Sequence, residues 1–177
     1  MNWTLRLAQP ADIPSLAELI PLSVRTLQAA HYSPAQIEAA LGPVFDVDRQ
    51  LIADGTYFAV EHEKKLIGCG GWSRRKSFFG GGPESVQPEL DPAREPARIR
   101  AFFVHPDWAR RGIGRGILRA SETAILDAGF QRIELVATLA GEPLYASFSY
   151  GVTQRYEIET PGGLRLPVVR MGKKLKG

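Results

Sequence analysis

Val104-His105-Pro106-Asp107-Trp108-Ala109-Arg110-Arg111-Gly112-Ile113-Gly114-Arg115 is the stretch that decides how this chain is read. An apolar run over residues 99–104 stops at a proline turn. Two arginines and two glycines follow, and then an amphipathic helix begins. A strand that feeds a glycine-bearing turn at a helix N-terminus builds an anion site, because unpaired backbone N–H groups and the positive end of the helix dipole converge there. Gly112 and Gly114 let a phosphate approach the backbone, and Arg110, Arg111 and Arg115 add charge. The expectation is a phosphorylated ligand on this turn.

On either side, strand and helix patterns alternate. Residues 3–8 read as a strand, with Trp3, Leu5 and Leu7 alternating against Thr4 and Arg6. A helix opening at Pro10 or Asp12 carries Ile13, Leu16, Ala17, Leu19, Ile20 and Val24 at helical spacing. Ser33 as N-cap and Pro34 at the first helical position start a second helix over 35–41. Residues 56–61 and 66–72 predict a hairpin around Glu63-Lys64-Lys65. From 74 to 96 the glycines and prolines exclude regular structure, and a loop of that length reads as a substrate-side or mobile insertion.

A strand then occupies 96–104, and a helix covers 112–128 with Ile113, Ile117, Ala120, Ser121, Ala124, Ile125 and Ala128 on one face and Gly129 as its C-cap. A strand over 132–137, a short helix over 142–150 and a hairpin of 152–159 with 164–171 close the chain. The order predicts an α/β (α+β) fold: one mixed, mostly antiparallel sheet of about seven strands flanked by about four helices. Residues 1–177 read as a single domain, without internal repeats.

Composition narrows the function. Of 177 residues, 44% are hydrophobic and 23% charged, as in ordinary globular chains. A net charge of +3, partly from the tail Lys173-Lys174-Leu175-Lys176, makes no case for nucleic acid. Cys69 is the single cysteine, which excludes an internal disulfide, and its apolar surroundings make it a core residue. With no secretory leader and no membrane-spanning run, the chain reads as soluble and cytoplasmic. No metal-ligand cluster is expected.

Two other glycine motifs fail. No segment supplies the G-x-x-x-x-G-K-[ST] phosphate loop. Gly112-x-Gly114-x-x-Ile117 lacks the third glycine of a dinucleotide-binding turn and the acidic residue that should end the next strand. The segment instead resembles the GNAT superfamily of N-acetyltransferases, whose signature [QR]-x-x-G-x-[GA] falls on Ala109-Arg110-Arg111-Gly112-Ile113-Gly114. Ala109 departs from the family's Gln or Arg. Val104-His105-Pro106 is similar to the family's strand end. Residues 55–60 and 67–72 look like its second and third strands, and Leu144-Tyr145-Ala146-Ser147-Phe148-Ser149-Tyr150 is similar to its L-Y-x-x-L-G-F helix. The resemblance covers nearly the whole chain.

The resemblance implies acetyl-coenzyme A as acyl donor. Its pyrophosphate would lie on Ala109, Arg110, Arg111, Gly112, Ile113, Gly114 and Arg115, and its pantetheine against backbone groups of Phe103 and Val104. The Val104 N–H would polarise the thioester carbonyl. Tyr145 takes the general-acid position. An acceptor ammonium, with a pKa near ~10, must lose a proton before attack, and the departing thiol, near ~8.5, must gain one. Relatives carry glutamates on the fourth strand, where this chain has Arg98 and Arg100. These arginines either bind an anionic group on the acceptor or pair with Glu95, Glu89 or Asp91. Glu95 is the candidate base, with Glu84, His105 and His31 as further options. His31 and Tyr32 fall where relatives build the acceptor pocket.

The leading expectation is an N-acetyltransferase acting on a small or amino-acid-like amine, without an acyl-enzyme, as monomer or homodimer. Transfer to another acceptor or from another acyl-CoA is the first alternative, and a non-catalytic acyl-CoA-binding module the second.

Overall fold

The structure, a computed structural model, describes residues 2–80 and 87–176. Among these the strands are β1 (Thr4–Leu7), β2 (Tyr57–His62), β3 (Lys65–Ser73), β4 (Ala97–Val104), β5 (Arg132–Ala137), β6 (Gly151–Glu159) and β7 (Arg165–Lys174). The helices are α1 (Ile13–Leu27), α2 (Pro34–Ala40), α3 (Arg49–Asp54), α4 (Ile113–Asp127) and α5 (Glu142–Ser147). The strands form one seven-stranded mixed sheet in the order β1-β2-β3-β4-β5-β7-β6, in which only the β4–β5 pair is parallel. The expected α/β class and sheet are therefore present.

Local chemistry accounts for most boundaries. Ser33 caps α2: its hydroxyl accepts the Gln36 N–H (3.1 Å) while the Gln36 side chain accepts the Ser33 N–H (2.8 Å), with Pro34 at the first turn. The β2–β3 hairpin turns through Glu63 and Lys64, both at positive φ (48° and 65°). In α4, Ile113, Ile117, Leu118, Ser121 and Ile125 are buried, and Gly129 follows at φ 92°.

Among the described residues the α-helices number five, in keeping with the about four expected. Residues 49–54 form the extra helix, α3, which follows Asp48 as N-cap; the Asp48 carboxylate accepts the Leu51 N–H at 3.2 Å. A six-residue helix is too short to impose a hydrophobic period, so pattern reading passes over it. The loop over 74–96 also holds one element of order among its described residues. Arg75 bridges to Glu89, and its guanidinium pairs with Asp54 of α3 at 2.8 Å.

Two apolar layers sandwich the sheet. One joins α1, α2 and α3 to β2 and β7 through Leu16, Ile20, Ile37, Leu51, Tyr57 and Leu166. The other joins α4 and α5 to β4, β5 and β7 through Leu118, Ile125, Ile99, Leu135, Tyr145 and Val169. Among the described residues, no helix is long and apolar enough to cross a membrane.

Candidate active site

Strands β4 and β5 pair through only Ala97↔Ile133 and Arg98↔Glu134 and then diverge. Their facing edges beyond those pairs open a cleft of about 510 Å³. Within β4 a bulge at Ala101 (φ 61°) shifts the register against β3 between Cys69 and Gly71. The buried Tyr57 hydroxyl donates to the Ala101 carbonyl at 2.8 Å and fixes the distortion. The bulge directs Phe102 toward Tyr145 of α5, with ring centroids 5.9 Å apart, and Phe103 toward Phe45, at 6.1 Å.

At the downstream end of β4 lies the turn. The His105 ring Nδ1 accepts the Asp107 N–H (3.1 Å), closing a 3₁₀ turn over Pro106–Trp108. Arg110 and Gly112 both take positive φ (64° and 88°), and Gly112 is the N-cap of α4. The first helical donor to find a carbonyl is Gly116, whose N–H reaches Gly112 O at 2.9 Å. The N–H groups of Ile113, Gly114 and Arg115 precede that bond and belong to the open first turn. Phe103, Val104, Ala109, Arg110, Gly112, Ile113, Gly114 and Arg115 line the cleft. Arg111 does not; its guanidinium lies over the Trp108 ring, 5.3 Å from the centroid. The Val104 N–H donates to Ser23 Oγ of α1 at 3.3 Å.

A model of the acetyltransferase (GNAT) family matches residues 23–150. The chain belongs to the acetyltransferase (GNAT) family. No curated protein matches the sequence. A GCN5-related N-acetyltransferase from Rhodopseudomonas palustris superposes with a TM-score of 0.75 at 22% identity, over 99% of this chain and 97% of that one. PaiA N-acetyltransferase from Thermoplasma acidophilum, in complex with coenzyme A, gives 0.64 at 15% identity, over 98% and 99%. The putative acetyltransferase YncA from Salmonella typhimurium, with acetyl-CoA, gives 0.64 at 19% identity, over 100% and 96%.

In this GNAT chain Tyr145 is buried and lines the cleft. Burial raises its hydroxyl pKa above the ordinary tyrosine value, so the group is protonated at neutral pH. Other residues expected at the site lie elsewhere or are engaged. Arg100, expected to meet the acceptor or a loop carboxylate, is paired with Asp48: Nε to Oδ2 is 2.7 Å and Nη2 to Oδ1 is 3.1 Å, with side chains only 3% and 1% exposed. Its remaining Nη1 donates to Ser77 O at 3.0 Å.

Arg98 lies outside the cleft, donating to the Lys76 and Pro96 carbonyls (3.1 and 2.9 Å) and stacking on Phe78. Glu95 also lies outside, accepting the Asp91 N–H at 2.8 Å. Tyr32 is buried in the core, donating to Pro167 O (2.6 Å) and accepting from Leu139 N (3.1 Å), while its neighbour His31 is exposed away from the cleft. His105 serves the turn. Glu84 falls outside the described residues.

The structure also brings in residues that no sequence pattern singles out. Gln28, from the end of α1, donates its amide to Thr138 Oγ1 (3.2 Å) and leaves a buried Oε1 without a partner among the described residues at the cleft wall. Asp46 contributes a carboxylate to the lining, and Phe45, Phe78 and Phe79 contribute aromatic walls. Nothing in their spacing marks them, because they reach the cleft from three separate places in the chain: the end of α1, the segment with Phe45 and Asp46, and the segment with Phe78 and Phe79.

Proposed function

We propose that this protein is an acetyl-CoA-dependent N-acetyltransferase that moves the acetyl group directly to a primary amine of a small acceptor. The observation that carries this reading is that the open α4 turn and Tyr145 line one continuous cleft between β4 and β5. The turn suits a pyrophosphate: backbone N–H groups and a helix N-terminus lie on it, and Arg110 and Arg115 line the same cleft, the Arg115 guanidinium stacked on Phe148. The diverging edge of β4 suits the amides of pantetheine. Neighbouring folds described with coenzyme A or acetyl-CoA support the choice of donor.

The acceptor ammonium first releases a proton. Its lone pair then attacks the thioester carbon, the C–N bond forms, the C–S bond breaks, and the nitrogen loses a second proton. One of the two protons ends on the coenzyme A sulfur and the other in solvent. In this scheme Tyr145 donates a hydrogen bond to the leaving sulfur. Its raised pKa keeps it protonated and makes complete transfer uphill even to the departed thiolate, near ~8.5, so its part is the hydrogen bond, and the proton that ends on sulfur comes from the amine by way of solvent. Direct transfer is favoured over an acyl-enzyme by Cys69, which is fully buried, lies outside the cleft lining, and has its thiol pushed up to about 12 by desolvation.

Calorimetry with acetyl-CoA, followed by thiol release over an amine panel, tests the reading. Absence of binding would refute it. Binding without turnover on any amine would favour the non-catalytic module, and turnover on hydroxyl acceptors would favour the alternative acceptor class.

A further inference from the structure

The acceptor class follows from how charge is distributed along the cleft, given the acyl-transfer reading above. The α4 turn meets the downstream end of β4, while segments 44–48 and 77–80 pack against its middle through Arg100. Phe102 and Tyr145 lie between the two regions. If the pyrophosphate takes the turn and the thioester reaches Tyr145, the acceptor enters past segments 44–46 and 78–80.

Among the described residues, the cations lining the cleft are Arg100, Arg110 and Arg115. Arg110 and Arg115 belong to the turn. Arg100 is committed: each of its nitrogens already donates, two to Asp48 and the third to Ser77 O, its charge is matched by Asp48, and its side chain is only 3% exposed. The described acceptor region therefore offers no guanidinium for a carboxylate. What the cleft lining does offer is Asp46, an exposed residue and the only acidic one among the described lining residues, and Gln28 Oε1, a buried acceptor atom without a donor among them. A buried carbonyl in that state is stabilised by an N–H group brought in by a ligand. Around them the walls are apolar, from Phe45, Phe78, Phe79 and Leu166.

We propose that the acceptor is a primary amine on an apolar or aromatic body without a carboxylate, its nitrogen recognised by Asp46 and Gln28. A free α-amino acid of the same size is disfavoured twice. Its carboxylate finds no unpaired cation in the described lining, since Arg98 and Arg170, which stack on Phe78 from outside the cleft, both face Glu134, and it meets Asp46 instead. Arg100 acts through Asp48 as a positioning residue: the pair ties the segment that carries Phe45 and Asp46, and the segment that carries Phe78 and Phe79, to β4. Gly80 fits this clamp because a Cβ there would collide with the Asp48 carboxylate.

The test compares matched acceptors, phenethylamine with phenylalanine and tyramine with tyrosine, by thiol release at saturating acetyl-CoA, with acetyl-CoA binding measured separately by calorimetry. The expected result is a kcat/KM at least about tenfold higher for each decarboxylated amine, the size of one charge-assisted contact. Asp46→Asn keeps an oxygen for the Val47 N–H, which Asp46 Oδ1 accepts at 2.8 Å. It is expected to raise amine KM about tenfold while leaving the acetyl-CoA Kd unchanged. Equal or better turnover of the amino acids, or an unchanged amine KM in Asp46→Asn, overturns the acceptor class while the donor assignment stands. Failure of acetyl-CoA to bind overturns the acyl-transfer reading itself.

Discussion

Asp48→Asn is the perturbation that probes most directly what holds the acceptor walls. The substitution preserves side-chain shape and an oxygen for the Leu51 N–H, so α3 keeps its cap. It removes the charge that faces Arg100 across 2.7 and 3.1 Å contacts, where the two side chains are 3% and 1% exposed. Solvent screening is nearly absent at that burial. Two unit charges about 4 Å apart at an effective dielectric near 20 interact by about 4 kcal/mol, and breaking a buried pair by removing one partner costs about 3–5 kcal/mol.

Against a total stability of about 5–15 kcal/mol, that is a large fraction. With a urea m-value of about 2 kcal/mol/M, the midpoint should fall by about 2 M. Arg100→Met alone should cost a similar amount, and the double variant should recover about 2 kcal/mol or more of the summed losses, because neither charge is then left alone. Urea unfolding followed by circular dichroism measures all three. Single losses below about 1 kcal/mol, the range of solvated surface pairs, would refute the claim that this pair clamps the two segments.

Tyr145→Phe should lower kcat about 100-fold with little change in the acetyl-CoA Kd; an unchanged rate across pH would remove Tyr145 from the chemistry. Gly112→Ala forces a Cβ onto a residue at φ 88° in the N-cap of α4, which should cost about 1 kcal/mol and weaken acetyl-CoA binding measurably by calorimetry. Asp54 has its pKa held below the ordinary aspartate value, chiefly by the hydrogen bond from Arg75. A depressed carboxylate stabilises the fold above its unfolded pKa, near ~3.9, and loses that stabilisation as pH falls through the lower folded value. Asp54→Asn should therefore flatten the stability profile below about pH 4 and leave its slope at neutral pH unchanged, as read by thermal melts in a pH series.

Local chemistry makes much of this molecule legible from its sequence. The run over residues 99–104, the proline, the glycines and the amphipathic face of α4 are all consecutive, so the strand, turn and helix can be read without knowledge of the rest. The Ser33 cap and the Glu63-Lys64 turn are local in the same sense. Arg100 shows where such reading stops. Its strand position is legible, but its partner Asp48 lies 52 residues away in a segment with no period, and only the folded chain brings them together. Loop carboxylates nearer in sequence, Glu89, Asp91 and Glu95, are more obvious partners. Gln28 escapes for a related reason. A glutamine after the last turn of a helix is unremarkable until its neighbour across the sheet, Thr138, is known. Tyr32 misleads in the other direction: its place between two helices suggests a pocket, yet its hydroxyl bridges Pro167 and Leu139 inside the core.

The two-residue seam between β4 and β5 has a mechanical consequence. A four-stranded block (β1, β2, β3, β4) and a three-stranded block (β5, β7, β6) are joined across the sheet by Ala97↔Ile133 and Arg98↔Glu134 alone. Helix α4 packs chiefly on β3 and β4, in the first block. A sheet stitched at one end behaves as a pair of leaves on a short hinge, and the width of the gap is set by how far the leaves spread. A donor lying along the gap, as proposed above, would act as a splint, supplying to each leaf the partner that the other leaf withholds. On the donor assignment proposed above, acyl-donor binding is then also expected to stiffen the sheet beyond the strands that touch the ligand, which amide hydrogen exchange would read.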